Sequence, residues 1–179
     1  MKWSGIEFYS SNDELHKRPL DEQLAKAANI DAVVIIGRTL AESDLKHVRR
    51  VQRVIMPSPK SESAKHYAQS VNEASRLSKD IADATVTFEA IGTKVRWYPH
   101  MICQTFLIGD ASLQNGWVHV EMVPPYSAGN LRPSWTAYRK HHERLVASYG
   151  TIFEKMWAAS EAPDKQFVKD HNGEVRRNV

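Results

Sequence analysis

Cysteine is almost absent from this chain, because Cys103 is the only one in 179 residues. A single thiol cannot form an intramolecular disulfide, and it cannot supply the ligands of a multi-cysteine zinc site. The fold must therefore be held by a hydrophobic core, and this length is enough for one domain with such a core. No spacing of histidines and carboxylates demands a metal, so we expect neither a metal nor another cofactor.

Long hydrophobic runs are also absent, the longest being residues 32–36. A membrane-spanning helix needs about 20 consecutive apolar residues, so the sequence predicts no transmembrane segment. Met1 is followed by Lys2 and Trp3 rather than by the apolar stretch of a secretory signal. We therefore expect a cytoplasmic protein.

Charge of one sign does not dominate, since the formal net charge is only +3. The basic residues are nevertheless concentrated in two clusters, which are Lys46, His47, Arg49, Arg50 and Arg53, and Arg139, Lys140, His141, His142 and Arg144. A solvated helix face explains such a cluster, and contact with the phosphates of a nucleic acid is the other explanation.

Two β-branched runs, at residues 31–37 and 51–56, predict strands that are covered on both faces. Helical patterns lie around them, and residues 102–108 and 117–123 resemble a hairpin-like pair. The predicted class is therefore α/β, with a mixed, mostly parallel sheet and helices on both faces. Ser134 is predicted to cap a long closing helix that ends near residue 159. We expect one domain over residues 1–160 and a flexible or partner-docked tail over residues 161–179.

Polar residues near the ends of the central strands are the candidates for catalysis. His100 precedes one predicted strand and Asp110 follows it, while His119 and Glu121 project from the same face of the next strand. Together they could perform acid–base chemistry. The plainer interpretation is that His100 is a hydrogen-bonding residue at the start of a strand. In that case the strand face with His119 and Glu121 simply faces water.

A second group of residues suits an anionic ligand. Arg132 stands beside the predicted cap Ser134, where a helix start favours a phosphate. An equal alternative is that Arg132 stacks on Trp135 or pairs with a surface acid. The predicted ligand-binding residues are Arg38, Thr39, Arg96, Trp117, Arg132 and Ser134. We further expect five side chains to converge at one end of the sheet and to keep an imidazole protonated; these are His100, Asp110, His119, Glu121 and Arg132.

The order of elements, with residues 19–39 as an opening helix and strand and residues 95–110 as a motif strand, resembles one half of the phospholipase D-like superfamily. The family motif is H-x-K-x-x-x-x-D, and this chain has Cys103, Thr105 and Asp110 at the three positions. Only the aspartate matches, so the nucleophile and the phosphate-binding lysine are missing. Because active members unite two motifs, the resemblance implies a homodimer of single halves.

Three functions are compatible with these patterns. The first is a non-catalytic binding or sensing module for a phosphate-bearing ligand, either a nucleotide or a nucleic acid. The second is a divergent phosphodiesterase or phosphotransferase that uses His100 or His119. The third is a protein-interaction subunit whose C-terminal tail docks a partner. We favour the first.

Overall fold

The computed structural model describes residues 2–10, 24–36, 40, 48–70, 76–123 and 132–171. Within these residues the strands are β1 Lys2–Trp3, β2 Ile6–Tyr9, β3 Ile30–Val33, β4 Val51–Pro57, β5 Lys94–Tyr98, β6 Gln104–Gly109, β7 Trp117–Met122 and β8 Ser134–Tyr138. The helices are α1 Glu62–Ser70, α2 Leu77–Ala90, α3 Arg139–Ala158 and α4 Lys165–His171. None of these helices is long and apolar enough to cross a membrane.

One sheet contains all eight strands, in the order β1-β2-β8-β7-β6-β3-β4-β5. The predicted α/β class with a mixed sheet is confirmed, but the prediction of a mostly parallel sheet is wrong. Only the β3–β4 and β4–β5 pairs are parallel, and the other neighbouring pairs are antiparallel. The turn at residues 110–116 is too short for the crossover that parallel neighbours need, so β6 and β7 run in opposite directions.

Helices cover both faces of the sheet, as predicted. On one face, which we call the α2 face, Ile81 and Phe88 of α2 pack on Val54 and Met56 of β4. On the opposite α3 face, Ile55 of β4 belongs to a second cluster, together with Val33, Phe106, Val118, Val146 and Phe153. Burial on both sides explains the continuous apolar run of β4.

The prediction that Ser134 caps a helix is wrong, because Ser134–Tyr138 is strand β8. Its residues alternate: Trp135 and Ala137 join the α3-face cluster, and Ser134 and Thr136 point to the other face. The strand pairs with β2 on one side and β7 on the other. Helix α3 begins only at Arg139, so the described residues that follow Arg132 in the chain form a strand and not a helix start.

A close approach at Gly109 gives a test of this sheet. A Cβ atom added there would lie 2.3 Å from the Trp117 indole on the paired strand, whereas one added at Gly150 in α3 meets nothing within 4 Å. We expect Gly109→Ala to cost about 2 kcal/mol of unfolding free energy through overpacking. Gly150→Ala should instead stabilise by about 1 kcal/mol, because alanine favours a helix. Chemical denaturation measures both, and equal effects of the two substitutions would contradict this packing.

The first part of the predicted tail packs against the sheet. The backbones of Glu161 and Trp97 exchange two hydrogen bonds, of 2.8 and 2.9 Å. Phe167 of α4 contacts the Trp97 ring edge-on, with the ring centroids 5.7 Å apart, and Lys60 pairs with Asp164 at 2.6 Å. Residues 172–179 lie outside the described residues, and the boundary at residue 160 stays a prediction.

Candidate ligand-binding site

Polar side chains occupy part of the α2 face where β2, β8, β7 and β6 lie side by side. The strand register places Tyr9, Ser134, Glu121 and Thr105 in one cross-strand row. The next row contains Glu7, Thr136 and His119, with Leu107 at its end. Neighbours in a row are about 5 Å apart. We call this surface the polar face, and its members are Glu7, Tyr9, Thr105, His119, Glu121, Ser134 and Thr136.

His119 is buried at the centre of the polar face, with 4% of its surface exposed. Its Nδ1 lies 2.9 Å from the Thr136 hydroxyl oxygen. Burial lowers the pKa of His119 to about 4, because removal from water penalises the charged form. The imidazole is therefore neutral at pH 7, and the prediction of an imidazole kept protonated by carboxylates is wrong.

Arg132 binds the carboxylate of Glu121, which lies two residues from His119 on the same strand face. Its Nη1 donates to Glu121 Oε1 at 3.0 Å, and its Nη2 donates to the hydroxyl of Tyr67 on α1. The guanidinium carbon also lies 5.7 Å from the centre of the Tyr67 ring. Another donor of the Arg132 guanidinium, Nε–H, is buried and has no hydrogen-bond partner among the described residues.

Ser134 carries a second buried atom of the same kind. The residue is 3% exposed, and within the described part of the chain its Oγ makes no hydrogen bond. Strand register places Ser134 between Tyr9 and Glu121, two residues from Arg132. A guanidinium N–H can only donate, and a hydroxyl can donate or accept. Each of the two groups is therefore able to donate a hydrogen bond to an acceptor oxygen.

Asp110 lies at the other end of the sheet. It follows Gly109, which pairs with Trp117, whereas Glu121 pairs with Thr105 at the opposite end of the same two strands. Its two carboxylate oxygens accept hydrogen bonds from the backbone N–H groups of Ala28 and Asn29, at 2.9 and 3.0 Å. Asp110 therefore anchors the segment that enters β3. The predicted ligand residue Trp117 is buried at that same end.

His100 and Arg96 lie on the far side of the sheet. Arg96 belongs to β5 and His100 follows it. Strand β5 is four strands from β7, which is about 19 Å at the usual strand spacing. His100 is exposed and meets the Tyr98 ring edge-on. Arg96 donates to the Trp157 carbonyl at 2.7 Å and stacks over its indole.

The expected convergence of five side chains is therefore wrong. The structure brings together three of them, His119, Glu121 and Arg132, and adds Ser134. Arg38 and Thr39 lie outside the described residues. Among the residues that are described, no group of three or more histidines, cysteines or acids is placed to hold a metal ion.

Sequence reasoning missed Tyr9, Tyr67 and Thr136. The alternation of Ser134, Trp135 and Thr136 was a usable signal for a strand with one polar face. Tyr9 and Tyr67 reach the site from segments distant in the chain, and no local pattern indicates such contacts.

Comparisons with known proteins add evidence on the fold. No protein-family model matches the chain, and no curated protein matches it in sequence. Among solved structures, the chain is similar to TrmBL2, an archaeal chromatin protein whose structure shows a novel mode of DNA binding, with 17% identity and a TM-score of 0.51. The match covers 88% of this chain and 54% of that one, so this chain spans about half the length of TrmBL2. At this identity the likeness concerns the fold alone.

Proposed function

We propose that the chain is a non-catalytic binding module for a small phosphate-bearing ligand of the nucleotide type, held on the polar face. The observation that carries the proposal is the pair of buried donors, Arg132 Nε and Ser134 Oγ, that have no partner in the described residues. Buried polar groups in native proteins nearly always have partners, and each one left unpaired costs about 1–3 kcal/mol. A ligand oxygen that accepts from both donors would recover that cost.

Phosphate is the acceptor that this arrangement favours. A guanidinium presents its N–H groups in a fixed fork that matches phosphate oxygens. Glu121 and Tyr67 fix the guanidinium in place before the ligand arrives, which lowers the entropy cost of binding. Ser134 pairs with Glu121, whose carboxylate is neutralised by Arg132 at 3.0 Å, and Glu7, which accepts from Tyr9 at 2.9 Å, lies in the next row.

The chemistry of the polar face supports binding more than phosphodiester cleavage. A general acid or base works best with a pKa near the operating pH, and burial lowers the pKa of His119 to about 4. The hydrogen-bond partner of its Nδ1 is a neutral hydroxyl. The carboxylate of Asp110 is used by two backbone N–H groups.

The phospholipase D-like identity and the homodimer belong to the same proposal. In support of it, Thr105, at the position of the motif lysine, lies on the polar face opposite Glu121, in the same cross-strand row as Ser134. The DNA binding named for TrmBL2 is compatible with a phosphate-bearing partner for this chain as well. Analytical ultracentrifugation with and without the ligand would measure the association of two copies.

Ser134→Ala is the sharpest test of this site. Because Ser134 Oγ is buried and makes no hydrogen bond within the described residues, we expect the unliganded variant to be at least as stable as the parent chain. In a thermal-shift screen of nucleotides, a nucleotide at 100 times its Kd should stabilise the parent by about 2.7 kcal/mol. The variant should bind that nucleotide ten- to a hundredfold more weakly, since a hydrogen bond to a charged group is worth about 1.5–3 kcal/mol.

Two further variants make the result specific. Arg132→Lys keeps the charge but loses Nε–H and the planar fork, so it should weaken binding as well. Thr87→Ala removes a hydroxyl that bonds only the Asp83 carbonyl of its own helix, and it should leave binding unchanged. If a nucleotide still stabilises both Ser134→Ala and Arg132→Lys as much as the parent chain, the polar face is not the nucleotide-binding site. If no nucleotide stabilises the parent chain, the interaction-subunit alternative is favoured.

A further inference from the structure

Strand β5 forms one edge of the sheet, and the chain itself covers part of that edge. The Tyr98 carbonyl accepts a hydrogen bond from the Ser58 N–H on the β4 side. Backbone groups of alternate residues in a strand point to opposite sides, so those of Val95 and Trp97 point outward. Glu161 uses both outward groups of Trp97, with hydrogen bonds of 2.8 and 2.9 Å in an antiparallel bridge. The edge therefore accepts an extended segment.

This pairing ends after one residue because of a proline. In an antiparallel pair, two residues back from Trp97 is Val95, and two residues forward from Glu161 is Pro163. Proline has no backbone N–H to donate. Among the described residues, no hydrogen bond joins the outward backbone groups of Val95 to a partner. A strand without proline at this position could use all four outward groups, whereas the chain's own segment uses those of Trp97 alone.

Two cations of β5, Lys94 and Arg96, lie on the α3 face of this edge. Two carboxylates of the same region, Asp31 and Glu154, both pair with Arg53, at 2.6 and 2.7 Å. Among the described carboxylates, none forms an ion pair with Lys94 or Arg96. The edge therefore offers two cations to a strand that pairs with it.

The covering segment leaves these cations unmatched. Between Glu161 and Pro163, the residue opposite Arg96 is Ala162. Directly opposed residues of an antiparallel pair have Cβ atoms about 5 Å apart, and opposite charges at such positions stabilise the pairing. A strand with an acidic residue opposite Arg96 would match this edge better than the chain's own segment does.

The covering segment is also held mainly by surface contacts. We call residues 161–171 the C-terminal strap. Its helix, α4, has no buried residue, and its apolar contacts come from the half-buried Phe167 and Val168. The ion pair of Lys60 with Asp164 joins side chains that are 59% and 43% exposed, and exposed pairs contribute little to stability. A better-matched strand can therefore displace the strap.

We propose that the β5 edge is a docking site for an extended peptide of another protein that carries an acidic residue opposite Arg96, and that the strap competes with it. Main-chain hydrogen bonds would supply affinity, and the alternating side chains would supply specificity. The β5 edge of a second copy is a poorer occupant, because it would place like charges opposite one another. The edge lies four strands from β7, so this inference does not rest on the proposed nucleotide site.

The test is an NMR titration of the isotope-labelled full chain with the capped peptide T-V-E-V-T. Aligned on residues 160–164, its glutamate takes the place of Ala162, and a valine takes the place of Pro163. We expect the amide signals of Val95 and Trp97 to shift. The control peptide T-V-K-V-T should bind about three- to tenfold more weakly, because its lysine lies opposite Arg96.

Loosening the strap should strengthen peptide binding. Phe167→Ala removes the edge-on contact with Trp97, so the open edge is more populated, and T-V-E-V-T should bind at least about threefold more tightly than to the parent chain. The control Leu113→Ala changes an exposed apolar residue in the turn between β6 and β7 and should leave binding unchanged.

A second pair of variants tests the edge without an added peptide. Ala162→Glu combined with Pro163→Val lets the strap itself pair with Val95, so hydrogen exchange of the Val95 amide should slow at least about tenfold, and binding of T-V-E-V-T should be lost. Ala162→Lys combined with Pro163→Val is the matched control and should protect Val95 less.

Three results would overturn the proposal. The first is equal binding of the two peptides, or equal protection of Val95 in the two double variants, because the edge would then not select an acidic residue. The second is a set of shifted signals that excludes β5. The third is dimerisation of Phe167→Ala in analytical ultracentrifugation that T-V-E-V-T does not reverse, which would assign the edge to a second copy of this chain.

Discussion

Replacing Asp110 by alanine is expected to lower the free energy of unfolding by about 3 kcal/mol while leaving ligand binding by the folded protein intact. Asp110 is buried, with 8% of its surface exposed, and its carboxylate accepts hydrogen bonds from the N–H groups of Ala28 and Asn29. Each N–H left without a partner costs about 1–3 kcal/mol. Asp110 also has a φ of 46°, in the left-handed region that alanine adopts less readily than aspartate. Urea unfolding measures the loss.

Asp83→Ala serves as the control for Asp110→Ala. Asp83 pairs with Lys79 one helical turn away on α2, and such a pair contributes only about 0.3–0.5 kcal/mol. The opposite pattern, in which Asp110→Ala is as stable as the parent chain but fails to bind nucleotide, would contradict the anchoring role. It would return Asp110 to the functional site that the family motif implies.

The second large effect is a loss of stability in acid that comes from His119. Its pKa is about 4 in the folded chain and about 6.5 in the unfolded chain, so the unfolded state takes up a proton first as the pH falls. The stability contribution is complete above pH 6.5 and is lost as the pH falls to 4, by about 3 kcal/mol in total and about 2 kcal/mol at pH 5.

Urea unfolding at pH 7.5 and pH 5.0 would measure this effect. His119→Gln removes the titrating group, so the difference between the two pH values should shrink by about 2 kcal/mol relative to the parent chain. His100→Gln removes an exposed imidazole and should leave the difference unchanged. An unchanged pH dependence in His119→Gln would show that the imidazole is not buried in its neutral form.

The parts of the fold that the sequence predicted are those with strong local patterns. Residues 54–56 are apolar on both sides of the strand predicted at 51–56, and β4 occupies Val51–Pro57. His119 and Glu121 share one face, as period-two alternation required. The sequence analysis overestimated how many strand pairs are parallel. The direction of a pair such as β2 and β8, which is antiparallel, depends on how two segments far apart in the chain meet, and no local pattern shows this.

The site was predicted only in part, for a similar reason. Arg132 and Ser134 were singled out as a phosphate-binding pair at a helix start. Ser134 instead begins strand β8 and Arg132 precedes it, and phosphate binding by the two stays a prediction. Asp110 was expected near His119 because it ends the adjacent strand. In an antiparallel pair, however, the residue that ends β6 lies beside the residue that starts β7, so Asp110 and Glu121 occupy opposite ends.

The contact between Glu161 and Trp97 also bears on how two copies could associate. A strand at the edge of a sheet offers free N–H and C=O groups, and another chain can add to it as a further strand. Glu161 already uses the outward N–H and C=O of Trp97 in β5, and the opposite edge strand, β1, is two residues long. A second copy that extended the sheet past β5 would have to displace Glu161. Any homodimer is therefore expected to form away from the β5 edge, and growth of the sheet past β5 is blocked by Glu161.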